Sequence, residues 1–210
     1  MPGNKIPKLL YMPEKNKVVK PWFCSDDDFD RLYPSSIQAL TNQHWTPLAI
    51  ARKAVNFLAR ENGVRILDIG SGVGKFCLAG AYYRPDAYYS GIEQRKNLVV
   101  CAEEAKKRLQ FRNVNFIHAN FTMLDLRHYD HFFFYNAFYE NLIGTHKIDD
   151  SIVYSNELYN YYCGYLRLQL ERLPIGTRLA TFHSTEDEIP ASYHLAASEI
   201  DGQLKFWIRI

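Results

Sequence analysis

Leu67-Asp68-Ile69-Gly70-Ser71-Gly72-Val73-Gly74 is the stretch on which the reading of this chain turns. A short apolar strand, Val64 to Ile69, runs into it, and a helical pattern leaves it near Val73 to Tyr82. Glycines at alternate positions between strand and helix let the backbone take positive φ and approach a ligand with no Cβ in the way. The helix start adds unpaired N–H groups and a partial positive charge. Spacing then eliminates two designs. A dinucleotide fingerprint counted from Gly70 needs a third glycine where Lys75 stands. A P-loop ending in Gly74-Lys75 needs a glycine in place of Ile69 and a hydroxyl in place of Phe76.

Working outward, strands and helices alternate. Tyr88 to Glu93 reads as a second strand, and Leu98, Cys101, Ala102, Ala105 and Leu109 then line one side of a helix. On its wet side Glu103 with Lys107, and Glu104 with Arg108, are spaced for i,i+4 pairs. Val114 to Ala119 and His131 to Asn136 are further strands. A Tyr-rich helix, Ser155 to Leu173, precedes a fifth strand, Arg178 to His183, and Tyr193 to Ile210 reads as two strands turning at Asp201-Gly202. Upstream, Thr46-Pro47 has the form of an N-cap followed by a first-turn proline. Leu48, Ala51, Ala54, Val55 and Leu58 follow on one face, and Gly63 stops that helix. The alternation predicts an α/β, doubly wound, mostly parallel seven-stranded sheet with an antiparallel C-terminal hairpin strand and helices on both faces. One domain is expected over 46–210. Residues 1–45 read as an arm plus one or two short capping helices over 25–45.

Composition narrows the function. The formal charge of +2, from 25 basic and 23 acidic side chains, argues against a wide nucleic-acid surface. The locally basic arm, Lys5, Lys8, Lys15, Lys17 and Lys20, reads as a solvated tail. Cys24, Cys77, Cys101 and Cys163 are far apart, which points to a reduced, cytoplasmic protein without disulfides or zinc. Met1 to Leu10 has no apolar signal region, and the greasiest run, Phe132 to Tyr135, is far too short to span a bilayer. The histidines form no His-x-x-x-His pair, so no metal site is expected. Asp26-Asp27-Asp28 fits helix initiation and Glu186-Asp187-Glu188 a solvated loop, while His183, at a strand end near the edge of the ligand site, reads as a satisfied structural residue ahead of a catalytic one.

The acid-x-Gly-x-Gly-x-Gly run, with Glu93 in Gly91-Ile92-Glu93 on the next strand, resembles the class I (Rossmann-like) S-adenosylmethionine-dependent methyltransferases from about Thr46 to Ile210. The resemblance implies S-adenosyl-L-methionine as cofactor. It places the backbone of Gly70, Ser71 and Gly72 along that molecule, Asp68 near its methionine amino end, and Glu93 on both ribose hydroxyls. Asn120-Phe121 stands where the family often has Gly-Asp and an apolar residue, which gives Asn120 the adenine amino group. Thr46 and Trp45 occupy the segment that closes over the methionine end in many relatives. They read equally as a simple cap and a core residue.

Methyl transfer is an in-line displacement, so a protein contributes mainly alignment and the exclusion of water. The tip of the fourth strand, Phe134-Tyr135-Asn136-Ala137-Phe138-Tyr139-Glu140-Asn141, resembles two acceptor-side motifs. Asn136 and Tyr139 match the ends of the Asn-Pro-Pro-Tyr motif of amino-methyltransferases, with Ala137 and Phe138 in place of both prolines. The same segment resembles the Asn-Phe-Ala-Phe type of the non-SET protein-lysine methyltransferases. These resemblances give Asn136 the orienting of the acceptor, Phe138 and Tyr139 the pocket wall, and Glu140 the proton. They imply transfer to an amine nitrogen of a protein side chain or a small molecule. The near-neutral charge disfavours nucleic acid as a partner, which the basic arm and the amino-methyltransferase resemblance alone keep open, and no membrane partner is expected. A small-molecule O-methyltransferase and a non-catalytic cofactor-binding scaffold stay open, as does oligomeric state.

Overall fold

The structure, a computed structural model, describes residues 20–210. Lys5, Lys8, Lys15 and Lys17 of the basic arm lie outside the described residues. After a 3-10 turn at Lys20–Phe23 come three short helices, α1 (Asp26–Asp30), α2 (Ser35–Gln38) and α3 (Thr41–His44). Then follow α4 (Leu48–Leu58), β1 (Arg65–Ile69), α5 (Lys75–Tyr83), β2 (Tyr88–Glu93), α6 (Lys96–Leu109) and β3 (Val114–His118). The chain ends with β4 (His131–Tyr135), α7 (Asn156–Leu170), β5 (Arg178–Phe182), β6 (Tyr193–Glu199) and β7 (Leu204–Arg209).

The strands form one seven-stranded sheet in the order β3-β2-β1-β4-β5-β7-β6. Neighbours from β3 to β5 pair in parallel, and β7 runs antiparallel to both β5 and β6. Strand order reverses between β1 and β4, and ligands of open α/β sheets bind in the crevice beyond the strand ends at such a point. Register brings the right residues level there, with Ile69 opposite Ile92 of β2 and Phe134 of β4. Side chains alternate across the sheet with period two. Ile66 and Phe133 join a core with α4, α5 and α6, while Leu67, Ile69, Phe132 and Phe134 join a second core with α7. Among the described residues no helix is long and apolar enough to cross a membrane. All four cysteines are free, and Cys77 and Cys163 are buried.

Several expectations need correcting. Thr46 does not cap α4. The Leu48 N–H donates instead to Asp26 Oδ1 at 2.9 Å, because α1 packs against that helix start. The helix ends at Leu58, and Gly63, at φ +78°, belongs to the turn before β1. The i,i+4 pairs on α6 are not made. Lys106 pairs with Glu103 one position closer at 3.1 Å, and the Arg108 guanidinium donates to the Leu32 carbonyl at 3.1 Å. The Asp201-Gly202 turn is wider than a two-residue hairpin, since Ile200, Asp201 and Gly202 all adopt positive φ.

The 25–45 segment holds three short helices where one or two were expected, and it is tied into the main core. Phe29, Leu32, Tyr33, Ile37 and Trp45 are buried there, and the Tyr33 hydroxyl donates to the Val73 carbonyl at 2.9 Å. Ser25 caps α1, whose first turn is the acidic triplet. Lys75 at the start of α5 is 2% exposed and lies 2.7 Å from Asp26 and 2.8 Å from Asp30. Removing one partner of a buried pair strands the other charge, at a cost of about 3–5 kcal/mol. Lys75→Met is therefore expected to lower unfolding stability by about that amount in urea titration, with Asp30→Leu added in the same chain recovering part of it. An unchanged urea midpoint for Lys75→Met contradicts the pairing.

Candidate functional site

Beyond the ends of the parallel strands the chain encloses a cavity of about 540 Å³, within the range of small-ligand sites. Its floor is the glycine turn, where Gly70 and Gly72 stand at φ +75° and +52°. The turn has no room for side chains. A Cβ on Gly70 would meet Ala137 Cβ at 2.3 Å, and one on Gly72 the Trp45 ring at 2.7 Å. The Gly70 and Ser71 N–H groups donate to the Ile92 carbonyl at 3.0 and 2.9 Å, which hangs the turn on the end of β2. The Ser71 hydroxyl is buried without a hydrogen-bond partner among the described residues.

Glu93 follows Ile92 and is 4% exposed. One carboxylate oxygen accepts the Gly72 N–H at 3.1 Å, and the other accepts the Arg95 N–H at 2.9 Å. Burial pushes its carboxyl above the usual range, with those donors and the Arg95 charge pulling the other way. Asp68 is buried behind the turn, where the Cys77 thiol donates to it at 3.9 Å. Burial first, and the nearby Glu93 charge second, push Asp68 well above an ordinary aspartate.

At the end of β3, Asn120 caps a 3-10 turn over Phe121–Met123. Its oxygen accepts from both the N–H and the hydroxyl of Thr122, and its amide donates to the Tyr162 hydroxyl at 2.8 Å. Phe121 stacks on Phe138 with centroids 5.0 Å apart. At the end of β4, Asn136 takes φ +44°, and its carbonyl accepts the Tyr139 N–H at 3.0 Å to turn the chain. Tyr139 is half-exposed on the rim. Glu140 Oε2 accepts from Arg95 Nη2 at 2.6 Å and from the Ile148 N–H at 3.0 Å, and the Tyr154 hydroxyl oxygen lies 3.2 Å from it. His44, His146 and His183 also face the cavity, and the His44 Nε2 is buried without a partner among the described residues. Burial lowers the pKa of His44 and of His183.

Comparison with known proteins fits this geometry. The family described as "Methyltransferase domain" matches residues 60–155. The tRNA (guanine-N(7)-)-methyltransferase of Synechococcus sp. (strain JA-3-3Ab) is 44% identical over 62 residues, 30% of this chain and 26% of that protein. The release factor glutamine methyltransferase of Buchnera aphidicola subsp. Baizongia pistaciae (strain Bp) is 33% identical over 70 residues, 33% of this chain and 25% of that one. The chain thus matches about a quarter of the length of these curated relatives. Among solved structures, magnesium protoporphyrin IX methyltransferase from Synechocystis PCC 6803 with bound SAM superposes with TM-score 0.56 at 16% identity, over 95% of this chain and 99% of that one. An RNA methyltransferase from Salinibacter ruber in complex with S-adenosyl-L-homocysteine gives TM-score 0.56 at 17% identity, over 79% and 92%. The chain thus carries a methyltransferase-domain match over residues 60–155 and shares its fold with these two solved structures.

Within that fold, one cavity gathers Gly70, Gly72, Glu93, Asn120, Phe121, Asn136, Tyr139 and Glu140. Asp68, Ser71 and Thr46 line instead a water-sized hollow of about 20 Å³ behind the glycine turn, and Trp45 borders both spaces. Two expected roles meet occupied atoms. The Asn120 oxygen already accepts twice from Thr122, and Glu140 Oε2 already accepts from Arg95. Sequence reasoning missed Arg95, His44 and His146. Arg95 sits in a polar run, Gln94-Arg95-Lys96, that reads as solvated, and its place two residues after Glu93 was the available signal. Among the described residues no three His, Cys, Asp or Glu side chains cluster in a way that could hold a metal ion.

Asp68 carries a stability consequence. A carboxyl whose folded pKa is raised costs stability progressively as pH climbs from the unfolded pKa of about 3.9 toward the raised folded value, and costs nothing below the unfolded one. Ligand-free Asp68→Asn is therefore expected to melt higher than the wild type at neutral pH, by about 2–4 °C per kcal/mol relieved. The gain should vanish near pH 4, roughly the unfolded aspartate value. Equal destabilisation at both pH values in a thermal melt refutes this reading of the site.

Proposed function

We propose that this chain is an S-adenosylmethionine-dependent methyltransferase that delivers methyl to nitrogen. The observation that carries the reading is Glu93, a buried carboxylate at the end of β2 fastened to the glycine turn through the Gly72 N–H. Its two oxygens offer about four acceptor positions, of which two are taken by the Gly72 and Arg95 N–H groups. One position per oxygen remains, which suits two adjacent ribose hydroxyls, while a 2′-phosphate would be repelled. The residues fit the rest of such a ligand too. Bare backbone at Gly70 and Gly72 and the Trp45 ring border the space beside Glu93. When bound, the cofactor supplies a methyl carbon already activated by a sulfonium.

The chain's own part is alignment and proton handling. Asn136 stands at the end of β4 facing the cavity, with an amide that accepts or donates to orient a nitrogen. Phe138 and Tyr139 wall that end and limit water. Glu140, locked to Arg95, positions the wall. The imidazoles of His44 and His183, held more neutral by burial, are the better proton acceptors in the same cavity. Both curated relatives are named for nitrogen-bearing acceptors, a guanine N7 and a glutamine, which supports nitrogen over oxygen. The small net charge supports a protein side chain or small molecule, whereas the tRNA named for one relative supports RNA as the second reading.

Calorimetry with S-adenosylhomocysteine is expected to show binding to the wild type and at least about tenfold weaker binding to Glu93→Ala, about 1.4 kcal/mol or more. Equal affinities contradict the ribose assignment. Transfer of labelled methyl to a cell extract separated into protein, RNA and small-molecule fractions is then expected to label protein or small molecules. Label in RNA favours the second reading, and binding without any transfer favours a scaffold.

A further inference from the structure

Residues 142–155, between the 3-10 turn at Tyr139–Asn141 and α7, contain no helix or strand. The apolar anchoring of this segment is slight. Leu142 and Ile148 pack against the cores only partly buried, while Ile143 and Val153 are 87% and 79% exposed. Polar fasteners do the rest: the Thr145 hydroxyl bonds the Tyr139 and Leu142 carbonyls, and most of the others converge on one side chain. Arg95 is 4% exposed, and its Nη2 donates to Glu140 at 2.6 Å and to the Tyr154 hydroxyl at 2.6 Å. Its Nε donates to Asp149 at 3.2 Å. The Tyr154 hydroxyl in turn donates to the Asp149 carbonyl at 2.6 Å, and Asp149 accepts the Ser151 N–H at 3.0 Å. On its other flank Arg95 donates its backbone N–H to Glu93, and Nη1 lies 3.6 Å from the same carboxylate. A single buried guanidinium thus bridges the carboxylate at the cofactor end to the segment that carries His146 and Ile148 into the cavity wall.

We propose that Arg95 is a positioning residue that couples occupancy of the subsite at Glu93 to closure of residues 142–155 over the acceptor side of the cavity. The inference rests on the cofactor reading above. Donors arriving at the free positions of Glu93 draw on the charge it shares with Arg95, leaving the guanidinium more strongly committed to Glu140 and Asp149. A ligand that displaces water from the cavity strengthens those charge-assisted bonds further, because the local dielectric falls. Coupling of this kind is reciprocal. Whatever factor the ligand adds to closure, an opened segment must subtract from ligand affinity.

Lys147 is exposed on the segment, so tryptic cleavage after it reports opening directly, with no need to know the methyl acceptor. Saturating S-adenosylhomocysteine is expected to slow that cleavage in the wild type by about fivefold or more, the low end of typical coupling. Tyr154→Phe removes one Arg95 contact from the segment side. It should speed cleavage after Lys147 without ligand, narrow the protection that ligand confers, and weaken calorimetric S-adenosylhomocysteine affinity by a matching factor, with the ligand-free melting temperature little changed. Arg95→Lys, which keeps the charge but loses the fork, should show the same pattern more strongly. Ligand binding to the wild type with no change in cleavage after Lys147 overturns the coupling alone, as does a Tyr154→Phe chain with wild-type protection and affinity. No binding to the wild type overturns the cofactor reading and the coupling with it.

Discussion

A carboxylate held out of water with half of its acceptor positions unfilled is the feature on which the rest of the structure depends. Glu93 gains two N–H bonds, from Gly72 and Arg95, and still titrates above an ordinary glutamate because burial outweighs them. Such a group is stable in place only if the surroundings hold it there. The parallel register of β1, β2 and β4 sets its height, and the Ile92 carbonyl, accepting from Gly70 and Ser71, holds the glycine turn against the same strand end. The turn packs closely against Ala137 and Trp45, which stand where any side chain on it would go. Backbone, strand end and acid are therefore one unit, and it is this unit that the proposed ribose contact would use.

Two buried cations flank that unit. Lys75, one residue past the turn, is neutralised by Asp26 and Asp30 from α1, and Arg95, two residues past the acid, by Glu140 and Asp149 from the far side of the cavity. Buried ion pairs are weak contributors to stability but costly to break. Their effect is to tie elements distant in sequence, the N-terminal helices and the 142–155 segment, to the two strand ends that border the cavity. The Asp68–Glu93 repulsion is the complementary cost, two acids close together in a low-dielectric pocket.

The framework was legible in the sequence because its signals are local. The strand Tyr88–Glu93 appears where its pattern ends, and Leu98, Ala102, Ala105 and Leu109 are the buried face of α6. Glycine spacing, which rejects the dinucleotide and P-loop alternatives, needs no knowledge of tertiary structure. What escaped depends on contacts across the fold. Thr46 looks like a cap until Asp26 arrives to do the work, and Arg108 looks paired with Glu104 until the Leu32 carbonyl competes for it. Glu140 reads as a free base because nothing near it in sequence announces Arg95, forty-five residues earlier. The same limit hides Arg95 itself, whose burial is created by a loop that sequence periodicity cannot place.

The most direct measurement is a crystal structure of the protein with S-adenosylhomocysteine. The account predicts both ribose hydroxyls within hydrogen-bonding distance of the Glu93 carboxylate and the ligand lying along the backbone of Gly70 and Gly72. A nucleoside seated elsewhere in the cavity, or one that leaves Glu93 without a ribose contact, would contradict it.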